Sequence, residues 1–331
     1  MTQRQLTLDV LLDSTDRRRA LCLDVESGLG ASDKHIPPTW FYDETGSRLF
    51  DEITRLPEYY PTRAERSILA GAAREIALET RADTLVEIGS GTSEKTLLLL
   101  DALAEVGSLE RVVLFDISAD VLTEAAAELG QRYRVDVHAL VGDFRRHLNR
   151  IPRGRRQLWA FLGGTIGNLT PPERHELLCE FEHGIGRDGH VLIGTDLRKD
   201  PARLLAAYDD AAGVTAAFNR NVLSVINHEL NADFDPGSFE HCVVWDDAEG
   251  WIEMRLRARQ AHTVTVGDLG VAVRFEPAEE ILTEISAKFT AGQVARELAG
   301  AGLHPRHTWV DEQADFGLTL AGAAESGRRA A

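Results

Sequence analysis

The residues best able to do chemistry cluster around Thr84-Leu-Val-Glu-Ile-Gly-Ser-Gly-Thr-Ser-Glu-Lys95. Thr84–Ile88 reads as a short buried strand. Gly89 and Gly91 then allow a sharp turn and a close approach of backbone to a ligand. Thr92 or Ser93 is placed to cap the helix that follows. A strand, a glycine turn and a helix start together suit a dinucleotide or S-adenosylmethionine (SAM). A dinucleotide loop has a third glycine where this chain has Glu94, and a carboxylate there would repel a pyrophosphate. SAM carries no phosphate but has an α-carboxylate. Lys95 sits in the first helical turn, where a cation opposes the helix dipole. It is best understood facing an anion, although a solitary lysine also reads as a solvated one.

Further candidates follow at the ends of later strands. Asp116 closes Arg111-Val-Val-Leu-Phe-Asp and can accept both ribose hydroxyls of an adenosine, or simply cap the next helix. Asp143 can accept from an adenine amino group, and Phe144 can flank the ring. Asn168 follows a glycine turn after Gln157-Leu-Trp-Ala-Phe-Leu. Near the other end, Ile281–Phe289 alternates: Glu284, Ser286 and Lys288 on one face, Ile285, Ala287 and Phe289 on the other. Taken alone, that pattern describes a solvated polar face. Trp40, Phe41, Tyr42, Phe50, Tyr59 and Tyr60 crowd the N-terminal quarter between prolines. They are either a ligand wall or pins that fix an N-terminal arm.

Positioning these side chains takes a particular architecture. Strands at 84–88, 111–116, 137–144, 157–162 and 190–196 alternate with helical stretches, which gives βα units and a parallel sheet with helices on both faces. From about 199 the pattern changes to two helices and several short strands, including a hairpin from Phe239–Trp245 to Trp251–Arg259. A helix over 291–301 and strands at 306–310 and 316–321 would return to the first sheet. The expected division is an N-terminal arm, 1–62, in a substrate domain; a SAM-binding domain, 63–198; an inserted α+β substrate domain, 199–288; a completing segment, 289–322; and a disordered tail, 323–331. The lead, 1–30, is expected to be polar and then helical, with Leu11, Leu12, Leu21 and Val25 buried.

Composition narrows the partners. The 331 residues carry a net charge of −17, which argues against nucleic acid, since phosphate binding needs a basic surface. No apolar run approaches the ~20 residues of a membrane span. Cys22, Cys179 and Cys242 are far apart, form no metal-like cluster, and come without an apolar signal core; this points to a reducing cytoplasm. The protein is expected to be a cytoplasmic monomer that needs no metal.

The glycine loop, the two acids and the asparagine together resemble the class I SAM-dependent methyltransferases. Five longer blocks narrow the match: Trp40-Phe-Tyr-Asp, Leu56-Pro-Glu-Tyr-Tyr-Pro-Thr-Arg, Glu87-Ile-Gly-Ser-Gly-Thr-Ser-Glu-Lys-Thr, Gly164-Thr-Ile-Gly-Asn-Leu and Tyr208-Asp-Asp-Ala-Ala-Gly-Val-Thr-Ala-Ala-Phe-Asn. They resemble the EgtD family, the L-histidine Nα-methyltransferases of ergothioneine biosynthesis, over roughly residues 20–322. The resemblance implies transfer of three methyl groups from SAM to the α-amine of L-histidine, giving hercynine. It implies Gly89, Lys95, Asp116, Asp143 and Phe144 for SAM, and Tyr59, Asn168, Tyr208, Glu284 and Ser286 for histidine, with Tyr59, Asn168 and Tyr208 closest to the reaction.

Within that frame, Glu284 and Ser286 suit the two ring nitrogens, because their spacing points both the same way from one strand. Asn168 and Tyr208 are donors suited to the carboxylate. Tyr59 is expected to pack on or hydrogen-bond the histidine. Tyr42 or Phe50 is expected beside the amine, since a ring still attracts it once it is a quaternary cation. The competing readings are a methyltransferase for another amino acid or small amine, a SAM-binding protein without catalysis, and a nicotinamide dehydrogenase. The last is disfavoured by Glu94.

Overall fold

The structure, a computed structural model, describes residues 5–89 and 95–323. The expected cap Thr92 or Ser93, with Gly91 and Glu94, and the expected tail beyond Ala323 lie outside the described residues. In chain order the elements are β1 (Leu6–Val10), α1 (Ser14–Gly30), α2 (Glu44–Thr54), α3 (Pro61–Thr80), β2 (Thr84–Ile88), α4 (Thr96–Val106) and β3 (Arg111–Asp116). They continue with α5 (Ala119–Tyr133), β4 (Asp136–Val141), α6 (Phe144–His147), β5 (Gln157–Phe161), α7 (Pro171–Ile185), β6 (His190–Asp196), α8 (Pro201–Tyr208) and α9 (Val214–Leu230). The remainder are β7 (Phe239–Asp246), β8 (Trp251–Ala258), β9 (His262–Val266), β10 (Val271–Phe275), β11 (Glu280–Ala287), α10 (Ala291–Gly300), β12 (Leu303–Val310) and β13 (Phe316–Ala323). The chain forms two compact units. One comprises residues up to Leu12, Arg63–Leu197 and Phe289 onward; the other comprises Asp13–Thr62 and Arg198–Lys288.

The first unit is built on an eight-stranded sheet in the order β1-β4-β3-β2-β5-β6-β13-β12. From β1 through β6 every neighbouring pair is parallel, and the hairpin β12–β13 joins antiparallel to β6. Alternate residues of β5 show why both faces must be covered. Leu158 and Ala160 pack in one core with α3, α4 and α5, whereas Trp159 and Phe161 point the other way and meet Phe181 of α7 at 5.8 and 5.5 Å between ring centres. This is an α/β Rossmann-like sheet with helices on both faces. The strand order reverses at β2, with β3 on one side and β5 on the other. Such a reversal opens a crevice at the carboxyl ends of the strands, where ligands bind.

One element differs from the expectation for the lead. Leu6-Thr-Leu-Asp-Val is a strand, β1, paired in parallel with β4 from Leu6–Val137 to Val10–Val141. Its apolar residues recur every second position, which is the strand period, not the helical one. Leu21 and Val25 of α1 are buried as expected, while Leu11 and Leu12 are only half-buried.

The second unit packs the antiparallel sheet β11-β8-β7 and the hairpin β9–β10 with α1, α2, α8 and α9. Ile252, Met254 and Leu256 of β8 are almost fully buried on its core side. They pair with Ser286, Glu284 and Ile281 of β11, so these three share that side. The register shifts between Leu282 and Glu284, leaving Thr283 as an extra residue, a β-bulge. With regular alternation from Ile281, the inward positions would be Thr283, Ile285 and Ala287. The bulge moves the parity by one and turns Glu284 and Ser286 inward. Thr283 Oγ1 fixes it with one hydrogen shared between two acceptors, Asn219 Oδ1 at 2.6 Å and the Met254 carbonyl at 2.9 Å. The solvated polar face that the alternation suggested is therefore a buried one.

Candidate active site

In the first unit the expected SAM residues stand at the carboxyl edge of the sheet. Gly89 follows β2 with φ +75°, a left-handed conformation that a side chain would strain. A Cβ there would meet no described atom within 4 Å. Asp116 ends β3, and its Oδ1 accepts from the Ser118 amide at 3.1 Å. This holds the turn into α5 and aims the carboxylate from the strand end. Asp143 follows β4, caps α6 by accepting from the Arg145 amide at 2.9 Å, and lies 3.4 and 3.9 Å from the Arg145 and Arg146 guanidiniums. Phe144 is half-buried, edge-on to Phe161 at 5.4 Å. Two carboxylates, which accept, and an aromatic ring at successive strand ends suit the hydroxyls, the amino group and the ring face of an adenosine.

Lys95 meets an anion, but one supplied by the chain. Its ammonium ion-pairs with Glu65 of α3, a residue with no exposed surface. A buried carboxylate must be paired and hydrogen-bonded to remain in the fold. Glu65 achieves this with Lys95 and with the Gly163 amide, 2.9 Å from both its oxygens. Gly194 of β6 leaves the room, since a Cβ there would lie 2.1 Å from Glu65 Oε1. Glu65 thus ties the start of α4 to the Gly163–Gly164 turn after β5. Nothing in the helical pattern of 62–79 singled it out. Asn168 ends the 3-10 turn Thr165–Asn168 beyond those glycines and is half-buried.

The second unit brings together Tyr59, Tyr208, Glu284 and Ser286; Asn168 belongs to the first. The Tyr208 hydroxyl lies 2.7 Å from Ser286 Oγ. Lys288, 1% exposed, donates to Tyr208 at 2.9 Å and to Ser286 at 2.8 Å, and its ammonium stands 4.6 Å from the centre of the Tyr208 ring. Tyr208 was expected to serve the substrate carboxylate; its hydroxyl is held in this triangle. Sequence reasoning placed Lys288 on the right face but gave it no role. The signal available was its i+4 spacing from Glu284.

Glu284 is 8% exposed. Burial pushes its carboxyl up to about 7, opposed by the Lys288 charge, and among the described residues it accepts no hydrogen bond. The scaffold around it is satisfied by contrast. His241 lies 2.9 Å, through Nε2, from the Tyr208 carbonyl, and Nδ1 lies 2.9 Å from the Asn219 amide that also bonds the bulge. Burial lowers the His241 pKa, which suits a neutral ring donating at Nε2 and accepting at Nδ1.

An aromatic row runs on from Tyr208. Tyr59 lies 6.3 Å from Tyr208 and 6.3 Å from Phe50, which in turn lies 5.9 Å from Phe218. Tyr42 is edge-on to Phe50 and to Phe218, both at 5.7 Å. Phe50 stands on α2 and Phe218 on α9, while Tyr42 and Tyr59 lie in the chain just before and just after α2. Asp43 caps α2 by accepting from the Gly46 amide at 2.7 Å and takes a second bond from Asn221 of α9 at 2.7 Å. The N-terminal rings therefore anchor the arm, and Tyr59 carries the row to Tyr208.

What this arrangement can do is bind a small polar molecule bearing an N–H for a buried carboxylate, and, separately, an adenosine at the sheet edge. Comparison with known proteins agrees. The profile of the family described as histidine-specific methyltransferase, SAM-dependent, matches residues 21–323. The chain is 56% identical over 304 residues to the histidine N-alpha-methyltransferase of Mycobacterium tuberculosis (strain CDC 1551 / Oshkosh), covering 91% of this chain and 94% of that protein. It is 52% identical over 317 residues to the histidine N-alpha-methyltransferase of Mycolicibacterium smegmatis, covering 96% and 99%. The ergothioneine biosynthesis protein 1 of Schizosaccharomyces pombe is 32% identical over 280 residues, 81% of this chain and 36% of that protein. With a SAM-type sheet edge in one unit, a buried carboxylate awaiting an N–H in the other, and a family match across nearly its whole length, this chain belongs to the histidine-specific, SAM-dependent methyltransferases.

Proposed function

We propose that the protein transfers three methyl groups in succession from SAM to the α-amino group of L-histidine, giving hercynine, the first step of ergothioneine biosynthesis. The observation that carries this reading is Glu284, a buried carboxylate that accepts no hydrogen bond from the described residues, beside the Ser286 hydroxyl. An imidazole ring supplies the missing donor and offers a second nitrogen to Ser286. Asn168 is assigned to the amino-acid carboxylate, and Tyr59 and Tyr208 to the histidine. Gly89, Asp116, Asp143 and Phe144 are assigned to SAM, with Lys95 set by Glu65.

SAM, when bound, supplies a methyl group activated on a sulfonium. The protein's task is to hold a neutral amine about 3 Å from that carbon and in line, which can supply ~7–11 kcal/mol of the barrier. The amine's proton leaves to water, and no buried base is assigned to it. As methylation proceeds the nitrogen loses its hydrogens and becomes a fixed cation. The Tyr42, Phe50 and Tyr59 rings suit that change, because a quaternary cation is attracted to a ring face without donating. Mass spectrometry of histidine incubated with SAM and the protein tests the reading. One, two and three added methyls are expected; methylation of other amino acids in preference to histidine would overturn it.

A further inference from the structure

The turn that carries Asp143 is closed by a side chain to which the assigned roles give no task. The Asp143 amide meets His147 Nδ1 at 3.1 Å. A backbone N–H only donates, so Nδ1 accepts and the hydrogen of the ring sits on Nε2. The Asp143 carbonyl in turn accepts from the Arg146 and His147 amides, both at 3.0 Å. Room for the ring comes from Gly142, where a Cβ would lie 3.2 Å from His147 Nδ1 and 3.1 Å from Cζ of the buried Phe115. The imidazole therefore lies against the residue that follows β4.

These bonds matter because α6 has only 4 residues, too few to hold its own shape. The two oxygens of Asp143 are used differently. Oδ1 accepts from the Arg145 amide at 2.9 Å, whereas Oδ2 has only longer contacts among the described residues, 3.5 Å to Arg145 Nη2 and 3.9 Å to Arg146 Nε. Oδ2 is thus the oxygen left for a ligand. Its place depends on the backbone that carries it, and His147 fixes that backbone. Phe144 is anchored separately, edge-on to Phe161.

We propose that His147 is a positioning residue for the base of the cofactor: by accepting from the Asp143 amide it holds the Asp143 carboxylate where the adenine amino group reaches it. This rests on the reading that Asp143 receives that amino group. Without the acceptor, the amide turns to water and the carboxylate shifts with its peptide, while the Phe144 ring keeps its support. The loss should therefore fall on the amino group and spare the rest of the ligand.

The test is isothermal titration at about pH 8, where an ordinary imidazole is neutral, of wild type, His147→Phe and His147→Asn. The ligands are S-adenosylhomocysteine and its deaminated analogue, whose plain purine lacks the amino group. Phenylalanine keeps a ring and removes the acceptor; asparagine restores an acceptor at the same position along the side chain. Far-ultraviolet circular dichroism reads the fold of each variant. Wild type is expected to prefer S-adenosylhomocysteine by at least about tenfold, the worth of a hydrogen bond to a charged group. His147→Phe should retain a preference of about twofold or less, while binding the deaminated analogue within about twofold of wild type. His147→Asn should keep the full preference. Equal losses for both ligands in a folded His147→Phe, or a preference that survives there, would overturn the inference while leaving the Asp143 assignment intact; so would an asparagine variant that behaves like phenylalanine. A wild type indifferent to the amino group would sink the assignment and the inference together.

Discussion

Replacing Glu284 with glutamine should disable this protein, and the variant's stability relative to wild type should rise with pH in a calculable way. The Glu284 carboxyl is pushed from an ordinary 4.5 up to about 7 by burial. Its pKa is thus higher folded than unfolded, so the folded state is favoured while the group is protonated. The penalty for ionising it is absent below the unfolded value, grows as pH rises, and is complete above about 7, where it reaches about 3 kcal/mol. Between about pH 5.5 and about pH 8 it grows by about 2 kcal/mol. Glutamine removes this part. Its own buried amide carries a cost of about 1–3 kcal/mol that does not change with pH and cancels in the comparison. Urea unfolding of Glu284→Gln and wild type at both pH values, followed by tryptophan fluorescence, should show the variant's relative stability rising by about 2 kcal/mol. A difference that stays flat would mean that Glu284 is not desolvated in the free protein, and would refute the reasoning. The same variant loses a charge-assisted acceptor worth about 1.5–3 kcal/mol. Its KM for histidine should rise roughly tenfold to a hundredfold, with KM for SAM unchanged. A large fall in kcat with histidine affinity intact would instead make this carboxylate a base.

Three other perturbations bear on the scaffold. Thr283→Val deletes both bonds that fix the bulge and leaves the buried Asn219 oxygen without its donor, so it should cost about 1–3 kcal/mol and raise KM for histidine but not for SAM; equal effects on both substrates would argue against it. Lys95→Met strips the counter-charge from a fully buried Glu65 and should destabilise by about 3 kcal/mol, whereas adding Glu65→Gln should recover more than about 1 kcal/mol of that; additive losses on denaturation would show the pair to be uncoupled. Gly194→Ala drives a methyl group onto Glu65 and should cost about 1–3 kcal/mol; it should also weaken SAM binding in isothermal titration, and unaltered SAM affinity would detach Glu65 from the cofactor end.

The parallel sheet was legible because its strands are short apolar runs between turn residues, and each carries its polar group at the carboxyl end. Gly89, Asp116 and Asp143 could be placed from that alone. The leading strand β1 was not, because an edge strand exposes Leu6, Leu8 and Val10 and lacks the fully apolar character of its inner neighbours. Glu65 was hidden for a different reason. On a helix rich in Arg and Glu, nothing local marks the one carboxylate that is buried, and its partners lie 30 and 98 positions away. For Glu284 and Ser286 the alternation gave the correct pair but the wrong setting, a solvated face. Whether they point inward depends on the bulge, and the bulge depends on Thr283 reaching Asn219 on another helix.

That irregularity in β11 makes the chemistry of the site a matter of counting. Were Thr283 to join the ladder as an ordinary paired residue, composition and charge would be untouched, yet Ile285 and Ala287 would face the interior and the glutamate and the serine would face water. The recess would then be greasy where it is now polar, suited to an aliphatic or plain aromatic side chain. A change of clientele in such a scaffold needs no new side chain at the recess, only a ladder that runs on without the skipped residue.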